Sequence, residues 1–171
     1  MTDKVSEQKI QLLHPDRRAE GLAIYNEIHN RLNGRVVFRF SHSLRTFAEQ
    51  DAIYDQGRTK PGSIVTYAKG GESYHNYGLA IDGVLLIDKD GNGAYETASW
   101  DFFKDEDSDG VKDFEEIDFV FKSYGWTGLY KADGKRWDFP HFQKTSGYSV
   151  KQLQAMYNAK QFIEGTNYVK L

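Results

Sequence analysis

The chain contains no cysteine among its 171 residues. That excludes disulfide scaffolds, thiolate nucleophiles and cysteine-ligated metals, so any transition metal must be held by His, Asp or Glu. Only 3 prolines and 2 methionines occur. With 16 glycines, the composition is that of a globular chain rather than a disordered or fibrous one. No apolar run reaches the length of a membrane span, so membrane insertion is not expected. The N-terminus, MTDKVSEQKIQLLHPDRR, lacks the apolar core of a signal peptide. Synthesis in the cytoplasm is the expectation. There is no excess of positive charge; the net charge is -3, which argues against a general nucleic-acid binder. What the chain does have is aromatic residues, 15% of the total, and length enough for one domain with a real core.

Helices and short strands are spread along the whole length. Pro15 and Asp16 precede a helical pattern in which Ile24, Ile28 and Leu32 form one stripe, with Gly34 as its stop. VVFRF alternates, placing Val36, Phe38 and Phe40 on one face of a strand. Thr46 and Glu49 form a capping-box pair opening a short helix that ends near Gly57. Residues 58–72 read as a loop. LAIDGVLLI is a second strand, with Ala80 and Asp82 on one face and Leu79 and Ile81 on the other. A helix follows from Phe114, with Ile117, Phe121 and Tyr124 on one face and Gly125 at its end. RWDFPHFQ is extended, because Pro140 forbids a helix. Ser149 and Gln152 cap a last short helix. This order implies an α+β fold, a small antiparallel sheet flanked by helices, in a single domain over 1–171 with no separate second unit.

Two stretches carry chemistry. In SYHNYGLAID, His75 and Asp82 stand seven residues apart. A carboxylate among Leu, Ala and Ile needs a salt bridge, a hydrogen-bond network or a metal. In WDFPHFQ, Asp138 precedes His141 by three. His75, Asp82 and His141 together offer a two-histidine, one-carboxylate set, as catalytic zinc takes, with a position left for water. Asp138 is then the candidate proton carrier. Each residue has a plainer alternative: a hydrogen-bonded loop histidine, a salt-bridged strand aspartate, a turn-capping Asp138. His14 and His29 read as ordinary surface residues, and no motif claims His42.

The acidic stretch DEDSDGVKDFEE fits D-x-D-x-D-G-x5-E, with Asp105, Asp107, Asp109 and Glu116 at side-chain ligand positions and Val111 offering its carbonyl. Calcium is the candidate ion; the alternative is an acidic turn with Asp113 capping the next helix. SWDFFK, before the loop, is only weakly helical, so a full EF-hand is not expected. DKDGNGAYE, from Asp88, begins alike but has Ser99 where the last ligand belongs, and reads as a turn.

The segment Ser73–Asp82 resembles the S-x-H-x-x-G-x-A-x-D signature of the M15 zinc peptidases, with Ser73, His75, Gly78, Ala80 and Asp82 all in place. DFPHFQ is similar to the second signature of that family. LRTFAEQDAIYDQGR resembles the upstream block of its L-alanyl-D-glutamate endopeptidase branch, found in phage endolysins and bacterial autolysins. The similarity extends over roughly residues 10 to 150, and three motifs in order are more specific than one. The resemblance implies the D-Ala-D-Ala-peptidase/hedgehog-like zinc peptidase fold. It implies Zn2+ on His75, Asp82 and His141, Asp138 as general base and acid, and Arg45 beside the scissile carbonyl. Ser73 is a candidate substrate contact. The implied substrate is the peptidoglycan stem peptide, cut in the cell wall by a monomer. Within the family the alternative is a D-Ala-D-Ala dipeptidase or carboxypeptidase; outside catalysis it is a calcium-dependent wall-binding module.

Overall fold

A computed structural model describes residues 3–171. Its helices are α1 (Lys4–Gln11), α2 (Pro15–Arg31), α3 (Phe47–Asp55), α4 (Asp113–Ser123) and α5 (Val150–Asn158). Its strands are β1 (Val36–His42), β2 (Ala80–Ile87), β3 (Thr97–Ser99), β4 (Thr127–Tyr130) and β5 (Arg136–Gln143), with a 3-10 turn at Tyr74–Tyr77. The sheet runs β1-β2-β5-β4 and is antiparallel throughout. One edge of β2 is shared: Ala80–Asp82 pair with β5, while Leu85–Ile87 pair with β3. β2 is therefore central, which is why it reads as an almost continuous apolar run rather than a clean alternation.

The apolar stripes pack as their periods require. Ile24, Ile28 and Leu32 from α2, Val36, Phe38 and Phe40 from β1, and Ile117 and Phe121 from α4 enclose one core with Ile81, Phe142 and Trp126. Phe121 stacks on Phe142 at 3.7 Å between ring centres, joining α4 to β5. A smaller cluster of Tyr77, Leu79, Leu153 and Val169 lies under α5 and the C-terminal segment.

Several details differ from the sequence expectations. α1 carries no long apolar stripe, and its N-cap Asp3 and buried Ser6 hold it by hydrogen bonds, Ser6 Oγ accepting from Phe40 N–H. β3 and β4 are too short to give a period. Pro15 is the first residue of α2, where its missing N–H costs nothing, and the helix stops at Leu32, before Gly34. α4 begins at Asp113. His14 is not a surface residue: it is fully buried. Its Nε2 donates to the Val169 carbonyl at 2.8 Å, and its Nδ1 accepts from Asp16 N–H, capping α2. His29 is half-buried, with its ring against Tyr25. In both cases a polar ring is drawn inward because backbone or phenol groups satisfy its nitrogens.

Candidate metal centre and cleft

The strand register builds the site. On β2 and β5, Asp82 and His141 are direct partners, so both reach the same point on the sheet. His75 arrives from outside the sheet on the 3-10 turn. Ser73 caps that turn, its Oγ accepting from His75 N–H, and Asn76 closes the capping box. Gly78 ends the turn at φ +68, and a Cβ there would stand 2.6 Å from the His14 backbone nitrogen. Only glycine permits both the left-handed backbone and this close approach. The same turn holds Arg45: its N–H donates to the His75 carbonyl, and Asn76 Nδ2 donates to the Arg45 carbonyl.

The hydrogen bonds settle where the lone pairs point. His75 Nδ1 lies 2.7 Å from the Ser43 carbonyl, which can only accept, so Nδ1 carries the proton and Nε2 is bare in the neutral ring. His141 Nε2 lies 3.0 Å from Gln143 Oε1, which leaves Nδ1 bare by the same argument. The bare nitrogens are 3.2 Å apart, and stand 3.2 Å and 3.0 Å from Asp82 Oδ1. Three acceptors thus face one another with no donor between them, an arrangement that a shared cation satisfies. A tetrahedral zinc with bonds of about 2.0–2.1 Å would space its ligands by about 3.3 Å, close to what is observed. The residues present fit the ion. With no ion bound and the imidazoles protonated instead, burial would push the Asp82 carboxyl up, but the charge and hydrogen bonds of His75 and His141 outweigh it and hold it well below the usual carboxylate range.

The centre opens into a cleft of about 690 Å³, lined among others by Arg45, Ser73, Trp137 and Asp138. Burial pushes the Asp138 carboxyl up, against the pull of His141, and Asp82 adds to the rise. Arg45 Nη2 is 3.7 Å from Asp82 Oδ2, and Nη1 donates to the buried Gln50 Oε1 at 2.9 Å. Gln50 also donates to the Ala68 carbonyl, tying the loop 58–72 to α3. His42 is opposite Asp82 in register but exposed and outside the cleft lining.

Two supporting residues escaped the sequence reading. One is Gln50, which lies within the LRTFAEQDAIYDQGR block but received no role there. The other is Arg136, whose side chain is only 9% exposed. It donates to the His141 carbonyl at 3.0 Å and toward the Asp138 carbonyl at 3.4 Å, pairs with Asp118, and lies over the Phe142 ring. Gly128 makes room for it: a Cβ there would meet the guanidinium at 2.7 Å.

In the acidic loop, the carboxylates of Asp105, Asp107 and Asp109 converge within 4.8 Å. Loop N–H groups of Asp109 and Gly110 bind Asp105, and that of Val111 binds Asp109. Glu116 stays outside that group, although its Oε2 is buried without a partner, as is Oδ1 of the fully buried Asp113. Asp113 does not cap α4; its Oδ2 accepts from Glu106 N–H instead. No helix leads directly into the loop; among the described residues the element before it is β3. The Asp88 segment is a turn, its carboxylate accepting from Gly91, Asn92 and Gly93 N–H.

The chain is 47% identical over 104 residues to the peptidoglycan L-alanyl-D-glutamate endopeptidase CwlK of Bacillus subtilis, a stretch covering 60% of this chain and 58% of that protein. The resemblance to L-alanyl-D-glutamate endopeptidases is borne out by this relative. This chain therefore spans less than two thirds of the length of the relative it matches. Among solved structures it is similar to the vancomycin-resistance D,D-dipeptidase VanXYg, crystallised with a D-Ala-D-Ala phosphinate analogue. The TM-score is 0.50 and identity 22%, over 89% of this chain and 61% of that one. The likeness is one of fold, a small antiparallel sheet flanked by helices, as the sequence order implies. No protein-family model matches the chain. No helix among the described residues is long and apolar enough to cross a membrane.

Proposed function

We propose that the protein is a zinc peptidase that hydrolyses the L-Ala–D-Glu bond of peptidoglycan stem peptides, acting in the cell wall. The observation that carries this reading is the triad of acceptors, His75 Nε2, His141 Nδ1 and Asp82 Oδ1, facing one another without a donor. The choice of bond rests on the 47% identity to CwlK.

Zinc held by these three residues would supply Lewis acidity toward the scissile carbonyl and toward water. The remaining steps fall to the chain's own groups. As a water oxygen bonds to the carbonyl carbon, the Asp138 carboxylate takes the water proton. When the C–N bond breaks, the same group returns that proton to the leaving amine of D-Glu. A carboxyl held above its ordinary range suits a group that must act in both senses. Arg45, fixed by Gln50, offers guanidinium N–H groups to the oxygen that becomes negative as the carbonyl is attacked. Ser73 lines the cleft beside the ligand turn and is positioned to meet the substrate backbone.

Mass spectrometry of digested peptidoglycan tests the reading. New D-Glu amino termini are the expected product. Released D-Ala would favour the D,D-peptidase alternative that the VanXYg likeness brings in. Binding without cleavage would favour a wall-binding module.

Calcium is the second cation of this proposal, held by Asp105, Asp107, Asp109, the Val111 carbonyl and Glu116. In support, burial pushes the Asp113 carboxyl up to about 6 and that of Glu116 above its ordinary range, with neighbouring carboxylates adding to both. A cation relieves this crowding. Calcium is expected to raise Tm in the wild type and to do so less in Glu116→Gln. A wild-type Tm indifferent to calcium would leave the loop an acidic turn.

A further inference from the structure

We propose that Arg58 is a positioning residue of the cleft: it holds residues 61–68 as a wall against which the substrate lies. This rests on the peptidase reading above, which makes the cleft the substrate site. Residues 64–68 line the cleft that holds the metal centre. Both ends of the loop 58–72 are pinned to α3. At its start the Asp55 carbonyl accepts from the N–H groups of Arg58, Thr59 and Lys60. At its end Asp51 Oδ1 accepts from Gly70 N–H at 2.7 Å. Between these points, among the described residues, no main-chain hydrogen bond involves residues 61–68. Such a segment opens at little cost unless side chains hold it. Two side chains do. Arg58 Nη2 donates to the Thr66 carbonyl at 3.0 Å, and Gln50 Nε2 donates to the Ala68 carbonyl at 2.8 Å.

The planar fork of Arg58 suits this place. Its Nη1 donates to the Tyr54 carbonyl, one of the last carbonyls of α3, which no further helical turn satisfies. The guanidinium lies 3.8 Å from the centre of the Tyr54 ring and 5.7 Å from that of Tyr67. One group thus joins a helix end to the wall through two donors and two rings. The chain must fold back closely for this to happen: a Cβ on Gly57, at φ +74, would stand 2.6 Å from Ile64 N. Gln50 has a second duty. Its Oε1 accepts from Arg45 Nη1, so the amide that holds Ala68 also fixes Arg45. The two tethers therefore divide the work. Losing Arg58 frees the wall at Thr66 while Gln50 keeps Arg45 in place, so substrate binding suffers and the chemical step does not. An Arg58 that did no more than cap α3 would change stability alone.

The test compares Arg58→Met and Arg58→Lys with the wild type, each zinc-loaded and well below Tm. Chymotrypsin reads the wall independently of activity: Tyr67 is 80% exposed, and cutting after it requires the segment to open. Arg58→Met is expected to be cut there about tenfold faster. On a synthetic stem peptide its KM should rise about tenfold, with kcat within about twofold of the wild type. Arg58→Lys keeps the charge but not the planar fork and should fall between the two. Lys60→Met, which removes only an exposed pair with Asp55 on the same turn, should match the wild type in both measurements. Unchanged cutting after Tyr67, or faster cutting with an unchanged KM, would overturn the assignment, as would a loss confined to kcat. A wild type that binds the stem peptide without cutting it, with Arg58→Met binding it about tenfold more weakly, would overturn the proposed reaction and leave the role of Arg58 standing.

Discussion

Replacing Arg136 by Met should weaken the metal centre without touching a ligand. Arg136 reaches the site only through backbone: it donates to the carbonyls of His141 and Asp138, which flank Phe139 and Pro140 in the stretch where β5 loses regular register with β4. It is also the buried partner of Asp118. Breaking a buried ion pair costs about 3–5 kcal/mol. Asp118 would keep Lys122, which is itself 54% exposed, so the lower end, about 3 kcal/mol, applies. At about 2–4 °C per kcal/mol for a chain of this size, Tm should fall by about 6–12 °C. Freed from its anchor, His141 would hold its ring less firmly, and the loss of such supporting contacts lowers metal affinity about 10–100-fold. Zinc Kd, read by chelator competition well below Tm, separates this effect from unfolding. Arg136→Lys restores charge opposite Asp118 but not the planar fork, so it should recover Tm more than zinc affinity. If Arg136→Met lost stability but bound zinc as tightly as the wild type, Arg136 would be an ion-pair partner and nothing more.

Four further outcomes are expected. His141→Ala should leave protein purified without added metal free of zinc by elemental analysis; normal zinc content would remove His141 from the ligand set. Asp138→Asn should keep zinc and lose about 10²–10⁴-fold in kcat, and a near-normal rate would exclude Asp138 as the proton carrier. Arg45→Ala should cut kcat by about 10²–10³-fold with a smaller change in KM; a loss confined to KM would make Arg45 a ground-state contact. Burial lowers the His14 pKa below the ordinary 6.5, so the unfolded chain takes the proton first. The stability tied to neutral His14 is full above pH 6.5 and is lost as pH falls through the folded pKa. Tm measured from pH 7 to 5 should therefore drop less steeply in His14→Asn, and identical slopes would refute the role.

The sequence was most informative where a local pattern has one physical reading. Period-3.6 stripes gave α2 and α4, period 2 gave β1, and reciprocal caps at Thr46 and Ser149 marked α3 and α5, because each of these signals is complete within a few residues. The motifs around His75, Asp82, Asp138 and His141 named a metal chemistry that the resemblance to M15 peptidases made specific. What they could not supply was coincidence in space. Asp82 and His141 are 59 residues apart in the chain and meet only because β2 and β5 pair in that register. The orientation of each imidazole was set by an acceptor on its far side, Ser43 or Gln143, and no local spacing encodes that choice. Arg136, Gln50 and buried His14 were invisible for the same reason: an arginine, a glutamine or a histidine is ordinarily at the surface, and only the packed chain, by bringing carbonyls to their donors, makes burial affordable.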